Sequence, residues 1–463
     1  MKERRLELVG QGARAQAARI AGGEVSPVEL MRETLSRIDA VNGRVNAIVS
    51  LRDREALMGE ARLMEAELRS SGPRGWLHGI PIAVKDLADV KGLPTSRGAP
   101  FLAARKAAAD APVVARLKAA GAIVIGKTNV PMFALGGHST NPVFGVTRNP
   151  ADTSRTAGGS SGGAAAALAT GMVAVADGTD MMGSLRNPAA WCDVYGFRPT
   201  PGLIPREDAG LALAPRISTM GPMARGIEDL AALLETMSGG AFAGVADAPA
   251  RPRVAWLGDW GGAYATEPGI LHLAETALAR MEALGWVVEA VAPPVPRDLL
   301  WDSWTDLRSF ILALELGVHA RDPDRRDALN AQVRWEVERG FAMTGDRVER
   351  AVALRGEWLA ALETLFARFD ALVLPSTQLW PFPAEWDWPR EIAGQGMDTY
   401  HRWMEVVVPA SLGGLPALGM PAGTGPGGLP GGVQLIGPAG SDARLLGMAE
   451  AYETTIGPRP IRL

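Results

Sequence analysis

Ser160 and Ser184 stand in two separate clusters of small residues, where a hydroxyl could be held for chemistry. The first cluster is Gly158-Gly159-Ser160-Ser161-Gly162-Gly163. The second is Gly178-Thr179-Asp180-Met181-Met182-Gly183-Ser184-Leu185-Arg186. Glycine-rich serine loops have competing readings. A phosphate-binding loop would end in Gly-Lys-Ser/Thr before a helix, and no lysine follows Gly162-Gly163. A hydrolase nucleophile elbow reads G-x-S-x-G after a strand. Ser160 and Ser161 both fit by letter, but Asn149–Arg155 (NPADTSR) before them is polar and turn-like. A flexible Gly/Ser linker would run on into solvated chain, and here the following chain is apolar. The elements between the clusters must position them. Ala164–Leu168 has high helix propensity. Met172–Ala176 is a short apolar run bounded by glycine and reads as a buried strand. Loop, helix, strand and loop return both clusters to one end of a sheet and could bring Ser160 and Ser184 together.

A second chemical group is delivered by Gly79–Val84 (GIPIAV), an apolar strand that ends at Lys85 and Asp86. A lysine at the end of a buried strand is costly to desolvate unless something uses it. From these residues alone the plainer reading is a surface turn in which Lys85 pairs with Asp86 or Asp89.

The surrounding chain supplies layers. Two helices are predicted over residues 5–45. The second opens on Ser26-Pro27-Val28-Glu29, a capping box with proline at the first helical position. A third helix runs from about Asp53 to Leu68, so residues 1–70 form a helical N-terminal layer. Pro112–Ala120 reads as a helix and Ala122–Ile125 as a strand. This alternation of helix and strand argues for an α/β protein with a large mixed β-sheet. Gly126–Pro150 is dense in turn formers, and the apolar patch Met132-Phe133-Ala134-Leu135 within it, followed by Gly136, reads as a loop packed on the core. Leu203–Met223 continues the core, and a β-α-β passage spans Pro252–Val291.

Composition bounds the function. The chain has 463 residues, 47% of them apolar and 21% charged, ordinary for a globular protein able to bury a sizeable core. A net charge of −4 gives no support for nucleic acid or an anionic membrane as partner. The single cysteine, Cys192, excludes an intramolecular disulfide and any multi-cysteine metal site, and the five histidines show no ligand spacing. The N-terminal residues lack the apolar core of a signal peptide, and no run of ~18 apolar residues suggests a membrane span. The expectation is a soluble, cytoplasmic protein.

Taken together, Gly79–Asp86 (GIPIAVKD), Gly126–Pro131 (GKTNVP), Asn141–Gly145 (NPVFG), Gly158–Gly163 (GGSSGG), Gly178–Asp180 with Gly183–Ala189 (GTD and GSLRNPA) and Gly196–Thr200 (GFRPT) resemble the amidase signature family of serine hydrolases. Asp370–Pro375 (DALVLP) and Gly427–Gly437 (GGLPGGVQLIG) extend the resemblance from about residue 10 to the C-terminus. It implies one domain over residues 1–463, a large mixed sheet sandwiched by helices. It also implies a Ser–cis-Ser–Lys triad: Ser184 the nucleophile, Ser160 the bridging serine in a cis peptide, and Lys85 the base, which reverses the surface-turn reading. Ser161, Asp180 and Arg186 would support these groups, and backbone N–H groups of Met181, Met182, Gly183 and Ser184 would form the oxyanion hole. Met132, Phe133, Ala134, Leu135 and Gly136 are expected to bind substrate. No cofactor and no metal are expected. The partner implied is a small-molecule amide or carbamate, with no nucleic acid and no membrane, and a homodimer is compatible. Amide, carbamate and ester cleavage share the same acyl chemistry.

The chain departs from the family pattern before the nucleophile, where Met182-Gly183 replaces a pair of glycines. Either φ stays negative at Met182, or strain is accommodated there. Met181 and Met182 either narrow the acyl pocket or pack beneath the loop. Residues 298–405 differ again, holding eight of the thirteen tryptophans: Trp301, Trp304, Trp335, Trp358, Trp380, Trp386, Trp388 and Trp403. This helical region, with the loop Gln378–Arg390, reads either as packing on the core or as a lid or wall for an aromatic or extended apolar substrate. Two rival functions stand beside the amidase. One is a subunit of a glutamine-dependent tRNA amidotransferase that hands ammonia to a partner. The other is an inactive scaffold, against which all three triad residues speak.

Overall fold

The structure is a computed structural model that describes residues 8–205 and 217–463. The start of the N-terminal layer (1–7) and, within Leu203–Met223, residues 206–216 lie outside the described residues.

Strands β1 (Ile48–Val49), β2 (Pro81–Lys85) and β3 (Ile123–Thr128) form a three-stranded sheet in the order β1-β3-β2. The large sheet has eight strands: β4 (Val175–Asp180), β5 (Tyr195–Arg198), β6 (Thr219–Ala224), β7 (Arg253–Trp256), β8 (Val287–Ala290), β9 (Ala371–Pro375), β10 (Ala417–Thr424) and β11 (Pro430–Ile436). Their order is β8-β7-β9-β11-β10-β5-β6-β4. It is a mixed sheet, in which β7 runs parallel to β8 and β9 while β11, β10, β5, β6 and β4 pair antiparallel. The two sheets meet where β2 lies against the edge strand β4, and Lys85 N–H donates to Asp177 Oδ1 at 2.9 Å.

Side chains alternate across the large sheet with the period of two that a strand imposes. Val254, Val373, Leu418 and Leu435 face helices Ile227–Ser238, Ile270–Ala283 and Asp442–Ile456. Ala255, Leu372, Leu374, Ala417 and Ile436 face the opposite layer, where Trp304, Trp358 and Trp403 are packed. Both faces are covered, which is why these strands read as nearly continuous apolar runs. The predicted capping box is present: Ser26 Oγ accepts from Glu29 N–H at 3.1 Å and Glu29 Oε2 from Ser26 N–H at 2.8 Å. The helix Arg54–Ser71 is capped by Asp53, and the alanine-rich helix Gly162–Ala169 is buried on every side.

One element is displaced from its expected place. The strand predicted at Met172–Ala176 begins at Val175 and continues through Gly178 and Thr179 to Asp180, because β6 pairs with it over that whole length. Glycine and polar residues there look like loop in sequence, yet tertiary pairing overrides their weak strand propensity. No helix among the described residues is long and apolar enough to cross a membrane.

Candidate active site

Lys85 sits at the C-terminal end of β2 with no exposed surface. Its ammonium reaches three hydroxyls: Ser160 Oγ at 2.9 Å, Ser161 Oγ at 2.8 Å and Thr179 Oγ1 at 2.8 Å. Three N–H donors meet three acceptors, so the charged form is fully hydrogen-bonded. The extension of β4 supplies much of this arrangement. Asp177 and Thr179 lie two apart on one face, the first holding the Lys85 backbone and the second its side chain. Gly178 between them must lack a side chain, since a Cβ there would lie 2.8 Å from Ser161 Oγ and 2.5 Å from Leu185 Cδ2. The Gly159–Ser160 peptide is cis. Ser161 occupies the N-cap position of the helix Gly162–Ala169 but makes no capping bond with its hydroxyl, which accepts from Lys85 instead. Ser161 N–H donates to the Ser184 carbonyl at 3.2 Å, which joins the two serine clusters directly.

The pairing of Lys85 with Asp86 or Asp89 does not occur. Asp86 accepts from the Ser96 hydroxyl and from Ser96 N–H at 3.2 Å, and it faces Lys127 at 3.7 Å. Burial therefore dominates at Lys85 and lowers its pKa to about 7, against an upward pull from the charges of Asp177 and Asp180. Burial would raise Asp180, but Arg186 and Arg198 outweigh it and bring that carboxyl to about 2. Arg186 holds Asp180 in a fork, Nε to Oδ2 at 3.0 Å and Nη2 to Oδ1 at 3.0 Å, and is tied to Gln434 Oε1 at 2.5 Å and Ser411 Oγ at 2.9 Å.

The loop before Ser184 is pinned by the same carboxylate. Gly183 N–H donates to Asp180 Oδ1 at 2.9 Å and Leu185 N–H to Oδ2 at 3.2 Å. Gly183 is thereby corrected out of the expected oxyanion set, since its N–H is already engaged, and the N–H groups of Met181, Met182 and Ser184 remain. Gly183 takes the left-handed turn at φ 76°, which a side chain could not follow without meeting Asn187 Oδ1 at 2.5 Å, while Met182 is not among the positive-φ residues. The two methionines part company. Met181 faces a cavity, and Met182 is buried beneath the loop with its sulfur accepting from Trp304 Nε1 at 3.2 Å.

That cavity has a volume of about 620 Å³ and opens over Ser160, Thr179 and Ser184. Of the residues expected to bind substrate, Phe133, Ala134 and Leu135 line it. Met132 does not: it is buried, with its sulfur accepting from Asn330 N–H at 3.4 Å. Gly136 instead faces a neighbouring cavity of about 330 Å³, which shares Leu135 with the first. The Trp380–Trp388 loop is likewise absent from the wall beside the serines. Trp380 packs with Ile270 and Leu429, and Trp388 lines the neighbouring cavity. The far wall comes from Leu312, Glu315 and Leu316 on the helix Arg297–Ala320, a contribution the sequence marked only as part of residues 298–405. Sequence reasoning also passed over Thr179 and Arg97, both on the wall. The first is signalled by its alternation with Asp177 once β4 is drawn through Gly178. Nothing local signals the second. Among the described residues no group of three or more histidine, cysteine or acidic side chains could hold a metal ion.

A family model described as Amidase matches residues 29–446, and with this fold and site the chain belongs to the amidase signature family of amide-hydrolysing enzymes. It is 36% identical to a glutamyl-tRNA(Gln) amidotransferase subunit of Thermus thermophilus, over 94% of this chain and 95% of that one. An acylamidase of Rhodococcus erythropolis is 32% identical over 95% of this chain and 94% of its own. Among solved structures, a bacterial aryl acylamidase of the same family superposes with a TM-score of 0.88 at 25% identity, covering 96% of each chain.

Proposed function

We propose that the chain hydrolyses a bulky aryl or alkyl amide or carbamate through an acyl-enzyme on Ser184, with ester cleavage as a companion activity. The observation that carries this reading is Lys85, buried among the hydroxyls of Ser160, Ser161 and Thr179, of which Ser160 and Thr179 line a large, mainly apolar cavity. Near pH 7 a share of Lys85 is neutral, and its lone pair can accept the Ser160 proton. Ser160 takes the proton of Ser184 as Ser184 Oγ attacks the carbonyl carbon, so two protons each move one place, the positive charge ends on Lys85, and no charge is left on either serine. The N–H groups of Met181, Met182 and Ser184, without a hydrogen-bond partner among the described residues, are the candidates to meet the oxyanion, an interaction worth about 2.7–4 kcal/mol per donor in other hydrolases. The proton on Lys85 then returns through Ser160 to the leaving amine, and water releases the acyl group by the same relay.

A second reading, as part of a tRNA amidotransferase, is favoured by the similarity to the Thermus thermophilus amidotransferase chain over nearly the whole of both. The apolar wall of Phe133, Leu135, Leu312 and Leu316 supports the first reading, because a small polar amide would leave that surface unfilled. A panel of anilides, aryl carbamates, esters and glutamine, with Ser184→Ala as control, separates them. Turnover of the bulky substrates that vanishes in the variant supports the first reading. Glutamine as the only substrate supports the second.

A further inference from the structure

We propose that Trp304 and Arg308 clamp the loop that precedes Ser184 through the sulfurs of Met182 and Met181, and that Arg308 is a positioning residue for the reaction. The inference rests on Ser184 being the nucleophile. Trp304 Nε1 donates to Met182 Sδ at 3.2 Å, and Arg308 Nη1 donates to Met181 Sδ at 3.6 Å. The two donors are four residues apart on the helix Arg297–Ala320, hence on one face. Their acceptors are consecutive residues of the loop. Two N–H···S contacts in register fix both the height of the loop against the helix and its rotation.

Arg308 is itself held by buried partners. Its Nε donates to Glu336 Oε1 at 2.6 Å and its Nη2 to Tyr400 Oη at 2.7 Å. Tyr400 and Ser309 each add a hydroxyl donor to Glu336 at 2.6 Å. All four side chains are buried. A thioether is a weak acceptor, so the clamp works by holding position rather than by binding strength. Asp180 grips the loop from the other side through Gly183 and Leu185 N–H. The segment Met181–Gly183 is thus gripped from two directions, and the free N–H groups beside Ser184 keep one aim. This gives Met182 a purpose that a glycine in its place could not serve, since glycine offers no side-chain acceptor. The same helix face continues up the cavity wall as Leu312 and Leu316, so the surface that meets substrate and the clamp are one rigid body.

The test compares M181L, W304F, R308M and R308K with the parent, using an anilide substrate and a fluorophosphonate to titrate active sites. M181L and R308M are each expected to lower kcat by about tenfold while KM stays within about twofold. The double variant should be no slower than either single, because both break one contact. R308K, which keeps a cation on Glu336 but lacks the second arm that reaches Met181, should regain thermal stability without regaining kcat. The pH at which activity rises should not move. Wild-type kcat in folded M181L or R308M, or losses that multiply in the double variant, would overturn the clamp. If R308M does not fold, M181L and W304F decide: wild-type kcat in either overturns it. A parent enzyme whose Ser184 takes no fluorophosphonate would instead remove the reading beneath.

Discussion

Asp86 gives its carboxylate to Lys127, and Lys85, its neighbour in the chain, is left with hydroxyls alone. Among the described residues no carboxylate lies within ion-pair distance of Lys85. A carboxylate in contact would hold a buried lysine charged. Its absence lets burial set Lys85 at about 7, with Asp177 and Asp180 acting only at longer range.

The first prediction concerns that balance. On the proposed relay activity needs neutral Lys85, so kcat/KM should rise with pH through about 7 and level above it. Asp177→Asn keeps an acceptor for the Lys85 backbone and removes a charge that pulls the pKa upward. Its profile should shift to lower pH. A shift to higher pH would mean that Asp177 does not act on the lysine through its charge.

Lys85→Met should abolish turnover and leave the fold at least as stable as the parent. The native state holds the Lys85 proton less tightly than the unfolded chain does, so between about pH 7 and about pH 10.4 the unfolded state binds more protons. Stability of the parent therefore rises with pH across that window, and below it the full cost of burying the cation remains. The variant's advantage in melting temperature should be largest near pH 6 and fade toward about pH 10.

A fluorophosphonate should add once, at Ser184, and leave Cys192 untouched. The thiol is fully buried and its ionisation is pushed far up by that burial. Peptide mapping checks this, and a label on Ser161 or Cys192 with Ser184 free would reassign the nucleophile.

Arg186→Met leaves Asp180 buried with a single remaining cation, Arg198. Breaking a buried pair in this way costs about 3–5 kcal/mol. Denaturant titration should find a loss of that size, accompanied by lower kcat, because the carboxylate that grips Gly183 and Leu185 loses its fork. Asp180 also contributes stability above its unfolded pKa that is lost as pH falls through about 2.

Anilides should exceed acetamide by at least about tenfold in kcat/KM, a margin of only about 1.4 kcal/mol. Phe133→Ala should narrow that margin by weakening the anilide and not the acetamide, since Phe133 lines the cavity. Met182→Gly is expected to destabilise the loop rather than alter preference, because that side chain is buried under Trp304. Equal rates for the two amides would identify the apolar wall as packing.

Local chemistry was readable wherever a residue's role is written in its own neighbours. The Ser26 capping box, the strand that delivers Lys85 and the motif run from Gly79 to Gly437 are of this kind. What escaped depends on contacts between distant segments. Thr179 looked like loop until β6 paired with it, and Asp86 looked like the partner of Lys85 until β3 brought Lys127 beside it. The tryptophan-rich loop drew attention by composition, yet the wall over the serines comes from leucines of an ordinary amphipathic helix. No periodicity distinguishes a face that meets a cavity from one that meets a core.

The seam between the two sheets has a consequence for the life of the polypeptide. Lys85 and Thr179 are 94 positions apart, and they belong to separate sheets joined edge to edge. Contacts of such long range form late and only once the intervening chain is ordered. A nascent or half-folded copy has a solvated lysine with its ordinary affinity for protons, and serines no more reactive than any others. On the proposed relay, reactivity is thus withheld until assembly is complete.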